Sequence, residues 1–221
     1  MDFVAALVAL LVSLPAYYQD KETSAERAAR MQVVAVAIAD AAQTATCSGR
    51  YEATSCKAIW PGSDQELALL LVTKGWWESR FAKHVQAGQC GPRECDAYRD
   101  RAGKIVHRSA SYWQVQASSL LPPAQWRKTV GLDLAATRRA AWAAARIASG
   151  ARGRCTAIGG SWEYGTISAY ASGYTCAWRG APRRVAFLRR LRVQFGRILS
   201  QQAVRPAKAT GQAVKLAPAQ L

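Results

Sequence analysis

Six cysteines constrain the fold of this chain of 221 residues more than any other feature of its sequence. They stand at positions 47, 56, 90, 95, 155 and 176, so each has a neighbour nearby in the chain. An even number of cysteines in close pairs is typical of disulfides, although other connectivities are possible. Proximity favours the pairs Cys47–Cys56, Cys90–Cys95 and Cys155–Cys176. We therefore expect a disulfide-stapled fold in an oxidising compartment or an extracellular particle.

A metal centre is the alternative role for these cysteines. The sequence has no Cys-x-x-Cys motif, and its only histidines are His84 and His107. Since zinc sites combine such ligands at short spacing, we expect no metal. Neither histidine has a visible acidic or cysteine partner, so we also expect no hydrolase triad and place both on the surface or in loops.

One acidic residue, Glu78, ends a strongly apolar stretch that runs from Leu67 to Phe81. Leu67 and Leu71 precede it by offsets that place Glu78 within about 20° of this leucine stripe on a helical wheel. Burial and the negative end of the helix dipole both disfavour a charged carboxylate there. A neutral carboxyl group is what a general acid needs. The alternative is a buried Glu paired with one of the many arginines.

The chain is strongly basic, with 30 Lys and Arg against 14 Asp and Glu and a formal net charge of +16. Such a chain is attracted to nucleic acid, anionic membrane or the anionic bacterial envelope, or it has a solvated, solubilising surface. No nucleic-acid-binding motif accompanies the charge, so nucleic acid is the least expected of these partners.

The chain divides into four parts by composition. These are an apolar N-terminal segment (1–20), a helix with a cysteine loop (21–61), a main domain (62–200) and a basic Ala/Pro tail (201–221). Phe3 to Leu14 is nearly all apolar but too short to span a bilayer comfortably. It resembles the apolar region of a signal peptide, yet Asp2 stands where positive charge is usual. A signal, an anchor and a packed helix all stay open.

The hydrophobic pattern is mainly helical. Thr23 and Glu26 predict a capping box at the start of a helix. An alanine-rich helix is expected over 133–149, ended by the glycines that follow it. Residues 84–112 are rich in Gly, Cys and charge and predict a small irregular or β lobe. Residues 182–199 predict a basic amphipathic helix, which packs on the domain or holds the protein on an anionic wall or membrane.

Three short motifs follow one another along the chain. They are Glu78-Ser79-Arg80-Phe81, Ser111-Tyr112-Trp113-Gln114 and Ala169-Tyr170-Ala171-Ser172-Gly173. In order and spacing they resemble the motifs of the lysozyme-like lytic transglycosylase family (the soluble lytic transglycosylase catalytic domain), over roughly residues 62–195. Ser111 and Tyr112 replace the usual Gly-Leu of the second motif, and Ala171 stands where Asn is usual in the third.

The resemblance implies a mainly α, lysozyme-like fold with a small irregular lobe. It implies cleavage of peptidoglycan between N-acetylmuramic acid and N-acetylglucosamine, leaving a 1,6-anhydro ring. Glu78 would act alone, first as acid and then as base, without cofactor or metal. Gln114 would bind the sugar or order the site, Tyr170 would hold Glu78 or the acetamido group, and Ser79 would bind the peptide-bearing sugar. Trp113 would stack on a sugar or pack in the core.

Two other functions stay open. If Asp96, in the loop next to Cys95, faces Glu78 across a cleft, a hydrolytic lysozyme mechanism becomes possible. Glu94 and Glu163 are weaker candidates for this second carboxylate. A non-enzymatic structural protein of a virion or envelope that keeps the lysozyme fold is the other alternative.

The expected partners are peptidoglycan strands, the anionic cell envelope and, for a phage protein, other virion proteins. The expected location is extracytoplasmic, either periplasmic, secreted or membrane-anchored, or in a virion.

Overall fold

The computed structural model describes residues 2–48, 56–91, 94–118, 121–156, 161–173 and 175–204. Within them the chain is mainly helical, as the sequence pattern predicted. The helices are α1 (Phe3–Ser13), α2 (Ser24–Thr46), α3 (Asp64–Ser79), α4 (Lys83–Gln86), α5 (Pro123–Arg127), α6 (Leu134–Thr156), α7 (Trp162–Ser172) and α8 (Ala181–Val204). The strands are β1 (Ala97–Arg99), β2 (Ile105–His107), β3 (Ser109–Ala110) and β4 (Val115–Gln116). They form two antiparallel pairs, β1 with β2 and β3 with β4, close to the predicted small lobe.

Helix α3 carries Glu78 and lies in the middle of the core. A capping box starts it: the Ser63 hydroxyl accepts from the Glu66 N–H at 3.1 Å, and the Glu66 carboxylate accepts from the Ser63 N–H at 3.2 Å. Every side chain from Leu67 to Val72 is buried, because α2, α6 and α8 all pack against the helix. A helix that is apolar on all sides requires such enclosure.

A tight left-handed turn ends α3. Arg80 and Phe81 have φ angles of 56° and 53°. The Ser79 hydroxyl donates to the Gly75 carbonyl at 3.1 Å and accepts from the Phe81 N–H at 3.1 Å. The Phe81 ring lies so close to Gly75 that a Cβ there would be 2.3 Å from it, so this position requires glycine. The turn leaves Glu78 in the last turn of the helix.

Helix α6 is longer than predicted. It was expected to end at Ser149 but continues to Thr156, through two glycines that each cost about 1 kcal/mol relative to alanine. Ala151 and Cys155 are buried against Ala169 of α7. This packing, together with the disulfide of the last turn, outweighs the low helix propensity.

Helix α1 is a packed helix of the core. Its inward residues, Ala6, Leu7, Leu10 and Leu11, have no exposed surface. Arg27 of α2 donates to the free carbonyls at the end of α1, those of Val12 at 2.8 Å and Leu14 at 2.5 Å. Phe3 meets Phe195 of α8 edge to face, with ring centroids 5.8 Å apart. None of the helices in the described ranges is long and apolar enough to cross a membrane.

The three disulfides pair as proximity predicted. They are Cys47–Cys56 after α2, Cys90–Cys95 before β1, and Cys155–Cys176, which ties α6 to the segment after α7. A nitrogen of His107 and the sulfurs of Cys90 and Cys95 lie within 4.8 Å of one another. Because the two sulfurs are bonded to each other, neither is a thiolate that could bind a metal.

Helix α8 has the predicted amphipathic pattern and extends to Val204. Val185, Leu188, Leu191 and Phe195 are buried, so its apolar side packs on the domain. Its arginines face outward or reach back to acidic groups on α3 and α7. The predicted tail after residue 204 lies outside the described residues, as does most of the loop closed by Cys47 and Cys56.

Candidate active site

Glu78 lies in a cleft with a volume of about 210 Å³. The end of α3, α4, the Cys90–Cys95 loop and the linker between α1 and α2 form its walls. The lining residues are Tyr17, Trp77, Glu78, Ser79, Arg80, Ala82, Val85 and Glu94. The Glu78 side chain is 19% exposed, so its carboxylate is accessible to a ligand but largely shielded from water.

Arg184, from the first turn of α8, forms an ion pair with Glu78. Its guanidinium lies 4.8 Å from the ring centre of Trp178 and 5.6 Å from that of Trp77. The structure therefore has the arginine pairing that the sequence left open, and the Glu78 carboxylate is engaged by Arg184.

A buried lysine lies one helical turn before Glu78. Lys74 has no exposed surface; its Nζ donates to the Ile167 carbonyl at 3.2 Å and lies 4.1 Å from the centre of the Tyr170 ring. Burial lowers the pKa of Lys74 to about 7, opposed by the charge of Glu78 and assisted by that of Arg184. The sequence held a signal for this residue, the single lysine inside the apolar stretch.

Tyr170 contacts this cluster through its ring. Its hydroxyl donates to the Trp113 carbonyl at 2.9 Å. Burial, followed by the negative charge of Glu78, raises the pKa of Tyr170 well above its usual value, so the phenol is a neutral donor. The hydroxyl of Tyr170 is thus engaged by Trp113 and not by Glu78, and its ring contacts Lys74.

Three other motif residues support the structure around the cleft. Trp113 is fully buried and its indole N–H donates to the Leu71 carbonyl at 2.9 Å, so it packs in the core and offers no face to a sugar. Gln114 accepts from the Ser109 hydroxyl and donates to the Ser111 carbonyl at 3.4 Å. Ser79 lines the cleft, but its hydroxyl is used in the turn that ends α3.

The carboxylate that shares the cleft with Glu78 is Glu94. Asp96 is exposed, has a positive φ of 42°, and is not among the residues that line the cleft. Glu94 precedes it by two residues, on the other side of Cys95. The structure therefore brings Glu94, and not Asp96, to the cleft that contains Glu78.

Three donors hold Glu94. Its carboxylate accepts from the Gly91 N–H at 2.9 Å, contacts His84 Nε2 at 3.0 Å and accepts from the Tyr17 hydroxyl at 3.2 Å. These hydrogen bonds, above all the one from Gly91, lower the pKa of Glu94 and keep it ionised.

His84 has two acidic partners, so the expectation that it has none was wrong. Its Nε2 contacts Glu94, and its Nδ1 lies 3.6 Å from Asp20 Oδ1. Asp20 is 4% exposed, accepts from the Lys83 N–H at 2.9 Å and pairs with Arg30 at 3.2 Å. The partners are far apart in sequence, which is why the pattern around His84 did not reveal them.

Glu163, the remaining acidic candidate, lies away from the cleft. It is buried at the start of α7 and binds Arg189 at 3.0 Å and Arg192 at 2.8 Å, both on α8. Its role is to join these two helices.

Comparison of the chain with models of known protein families, with curated proteins and with solved structures finds no match. Any functional assignment therefore rests on the motifs and on the cleft.

Proposed function

We propose that this protein cleaves peptidoglycan strands between N-acetylmuramic acid and N-acetylglucosamine, with Glu78 as the proton donor. The lysozyme-like fold suggested by the three motifs belongs to the same proposal. The observation that carries it is the position of Glu78, which ends a buried helix and is the acidic residue of that helix that opens into a cleft. The first motif supplies this residue, and the cleft also contains aromatic side chains suited to a sugar face.

Cleavage starts with a proton transfer. Glu78 gives its proton to the glycosidic oxygen as the bond to the anomeric carbon breaks. This requires the ion pair with Arg184 to open, and polar groups of an entering glycan are suitable replacement partners for the guanidinium. Trp77 and Tyr17, on the walls of the cleft, are positioned to contact sugar rings.

The disulfides and the net charge of the protein are consistent with an activity on the bacterial cell wall. Three disulfides are typical of an oxidising, extracytoplasmic environment. The net charge of +16 favours association with the anionic envelope. Both a bacterial envelope enzyme and a wall-degrading protein of a phage virion fit these properties.

One observation favours a second function, that of a non-enzymatic structural protein of a virion or envelope. The ion pair between Glu78 and Arg184 is a structural use of the carboxylate. Tyr170 and Gln114 are likewise engaged in internal hydrogen bonds. In this second proposal the motif residues maintain the fold.

A single experiment separates the two. Purified wild-type protein and Glu78→Gln are incubated with isolated peptidoglycan of several wall types, and released fragments are identified by mass spectrometry. We expect release by the wild type and loss of at least about 100-fold in the variant. Glu66→Gln is the matched control, since it makes the same change at the other end of α3, where Gln also completes a capping box. Equal release by Glu78→Gln, or none by the wild type, would reject the proposed activity.

A further inference from the structure

The cleft contains a second carboxylate, which comes from a loop and not from α3. Glu94 lies in the loop closed by Cys90 and Cys95, and lines the same space as Glu78. Both of its oxygens have partners: Oε2 accepts from the Gly91 N–H, and Oε1 is shared by His84 and Tyr17. The carboxylate is therefore fixed in position within the cleft.

The groups that hold Glu94 come from separate parts of the chain. Tyr17 belongs to the linker after α1, and its ring lies 5.4 Å from the His84 ring on α4. Asp20, from the same linker, lies against the other ring nitrogen of His84. Because Asp20 is itself bound to Arg30 and to the N-terminus of α4, the chain Asp20–His84–Glu94 is anchored at its inner end.

We propose that Glu94 is the second reacting carboxylate of this cleft and that it makes the cleavage hydrolytic. This inference rests on the proposed function of Glu78 and goes beyond it, because it specifies the second step and its product.

Hydrolysis of the glycosidic bond in this cleft uses two proton transfers. Glu78 protonates the glycosidic oxygen, and the bond from that oxygen to the anomeric carbon breaks. A water oxygen forms the new bond to the anomeric carbon and gives one proton to Glu94. The two carboxyl groups have then exchanged protonation states, and proton exchange with solvent restores both. The product is a hydrated reducing end.

The alternative second step uses no water. The C6 hydroxyl of the muramic acid closes on the anomeric carbon and gives its proton to Glu78, which is by then ionised. This produces a 1,6-anhydro end and does not involve Glu94. The identity of the new end therefore reports directly on Glu94.

His84 and the hydroxyl of Tyr17 have positioning roles in this scheme, since they act on the water only through Glu94. Replacing His84, or removing only the Tyr17 hydroxyl while its ring stays on the cleft wall, changes no group that contacts Glu78. A role confined to fold stability would reduce total cleavage, whereas a positioning role changes the ratio of hydrated to anhydro ends.

The test is cleavage of isolated peptidoglycan in ¹⁸O-labelled water, with fragments identified by mass spectrometry. We expect labelled, hydrated reducing ends from the wild type. In Glu94→Gln we expect the rate of forming hydrated ends to fall about 100-fold or more, the typical contribution of a general base. For Tyr17→Phe and His84→Gln we expect rates of forming hydrated ends between those of the wild type and Glu94→Gln, with a higher share of anhydro ends than in the wild type. Thermal unfolding followed by circular dichroism establishes that each variant is folded.

Several results would overturn the role of Glu94. One is exclusively anhydro ends from the wild type, which leaves the proposed function of Glu78 standing. Another is a wild-type rate of hydration in Glu94→Gln. A third is loss of hydrated ends in Asp96→Asn with their retention in Glu94→Gln, which would move the role to Asp96. Absence of any release from the wild type would reject the proposed function and this role together.

Discussion

Arg184 and Glu78, 106 residues apart in the chain, form an ion pair between the start of α8 and the end of α3. The guanidinium is enclosed by the rings of Trp77 and Trp178, so both partners are held in place. This pair connects the stability of the fold with the proposed chemistry of the cleft, because both involve the same carboxylate.

Replacing Arg184 separates the two roles. Arg184→Met keeps an apolar stem between Trp77 and Trp178 but removes the charge. We expect the free energy of unfolding to fall by about 1–3 kcal/mol, the usual cost of losing a charged hydrogen-bond partner. Because the Glu78 carboxyl group no longer has to be released from an ion pair, we expect cleavage of peptidoglycan at pH 7 to rise severalfold. Urea unfolding and a pH–rate profile measure the two effects. A loss of activity as large as that of Glu78→Gln would show instead that Arg184 is required for the reaction.

The buried Lys74 predicts a specific dependence of stability on pH. Its pKa is about 7 in the folded protein and near its usual value of 10.5 when the chain is unfolded. Between these values the unfolded state binds one more proton than the folded state, so stability rises with pH. The slope for this one group approaches about 1.4 kcal/mol per pH unit.

Lys74→Met tests this dependence. Its free energy of unfolding, measured by urea from pH 6 to 10, should lack the Lys74 contribution. The free energy of unfolding of the wild type relative to that of the variant should therefore increase with pH above about 7. A constant difference across the range would contradict a depressed pKa for Lys74.

The disulfides should differ in their contributions to stability. Cys155–Cys176 closes a loop with a separation of 21 residues, and Cys90–Cys95 one of 5. Chain-entropy arguments give about 3 kcal/mol for the longer loop and about 2 kcal/mol for the shorter. Urea unfolding of the two double Cys→Ala variants measures both. Equal losses would indicate that the unfolded chain keeps structure around one pair.

We also expect loss of Cys90–Cys95 to reduce formation of hydrated ends, because Glu94 lies in that loop.

The packing of α1 is tested by truncating its inward face. Leu10→Ala removes buried methyl groups between α1 and its neighbours, and such changes cost about 2–5 kcal/mol. Val12→Ala is the matched control on the same helix, since Val12 is 37% exposed. Its cost should stay below about 1 kcal/mol. If the two variants were equally stable, the packing of the inward face of α1 would make no measurable contribution to the stability of the fold.

Local features of this fold were predictable from the sequence. The capping box of Thr23 and Glu26 is present as expected, because its hydrogen bonds span only three residues. The three disulfides and the apolar side of α8 follow the same logic, since both depend on spacing along the chain. The end of α6 was not predictable, because packing of Ala151 and Cys155 on α7 overrides the helix-breaking tendency of the glycines.

The cleft was predicted only in part. The position of Glu78 follows from helical periodicity and the motif. Tyr17 lines the cleft, and Arg184 and His84 contact its carboxylates, through tertiary contacts that no local pattern encodes. That Glu94 and not Asp96 lines the cleft depends on the local backbone around Cys95, where Asp96 has a positive φ.

The contact between α1 and α8 can form only after most of the chain has been synthesised. The Gln194 amide donates to the Ser13 hydroxyl at 2.7 Å across a separation of 181 residues. At synthesis rates of about 5–20 residues per second, roughly 10 to 40 seconds pass between the appearance of these two residues. Throughout that interval α1 has α2 as a neighbour but lacks α8, the other helix that packs against it. Factors that bind exposed apolar segments on nascent chains therefore have a target on the α8-facing side of α1 until α8 is made.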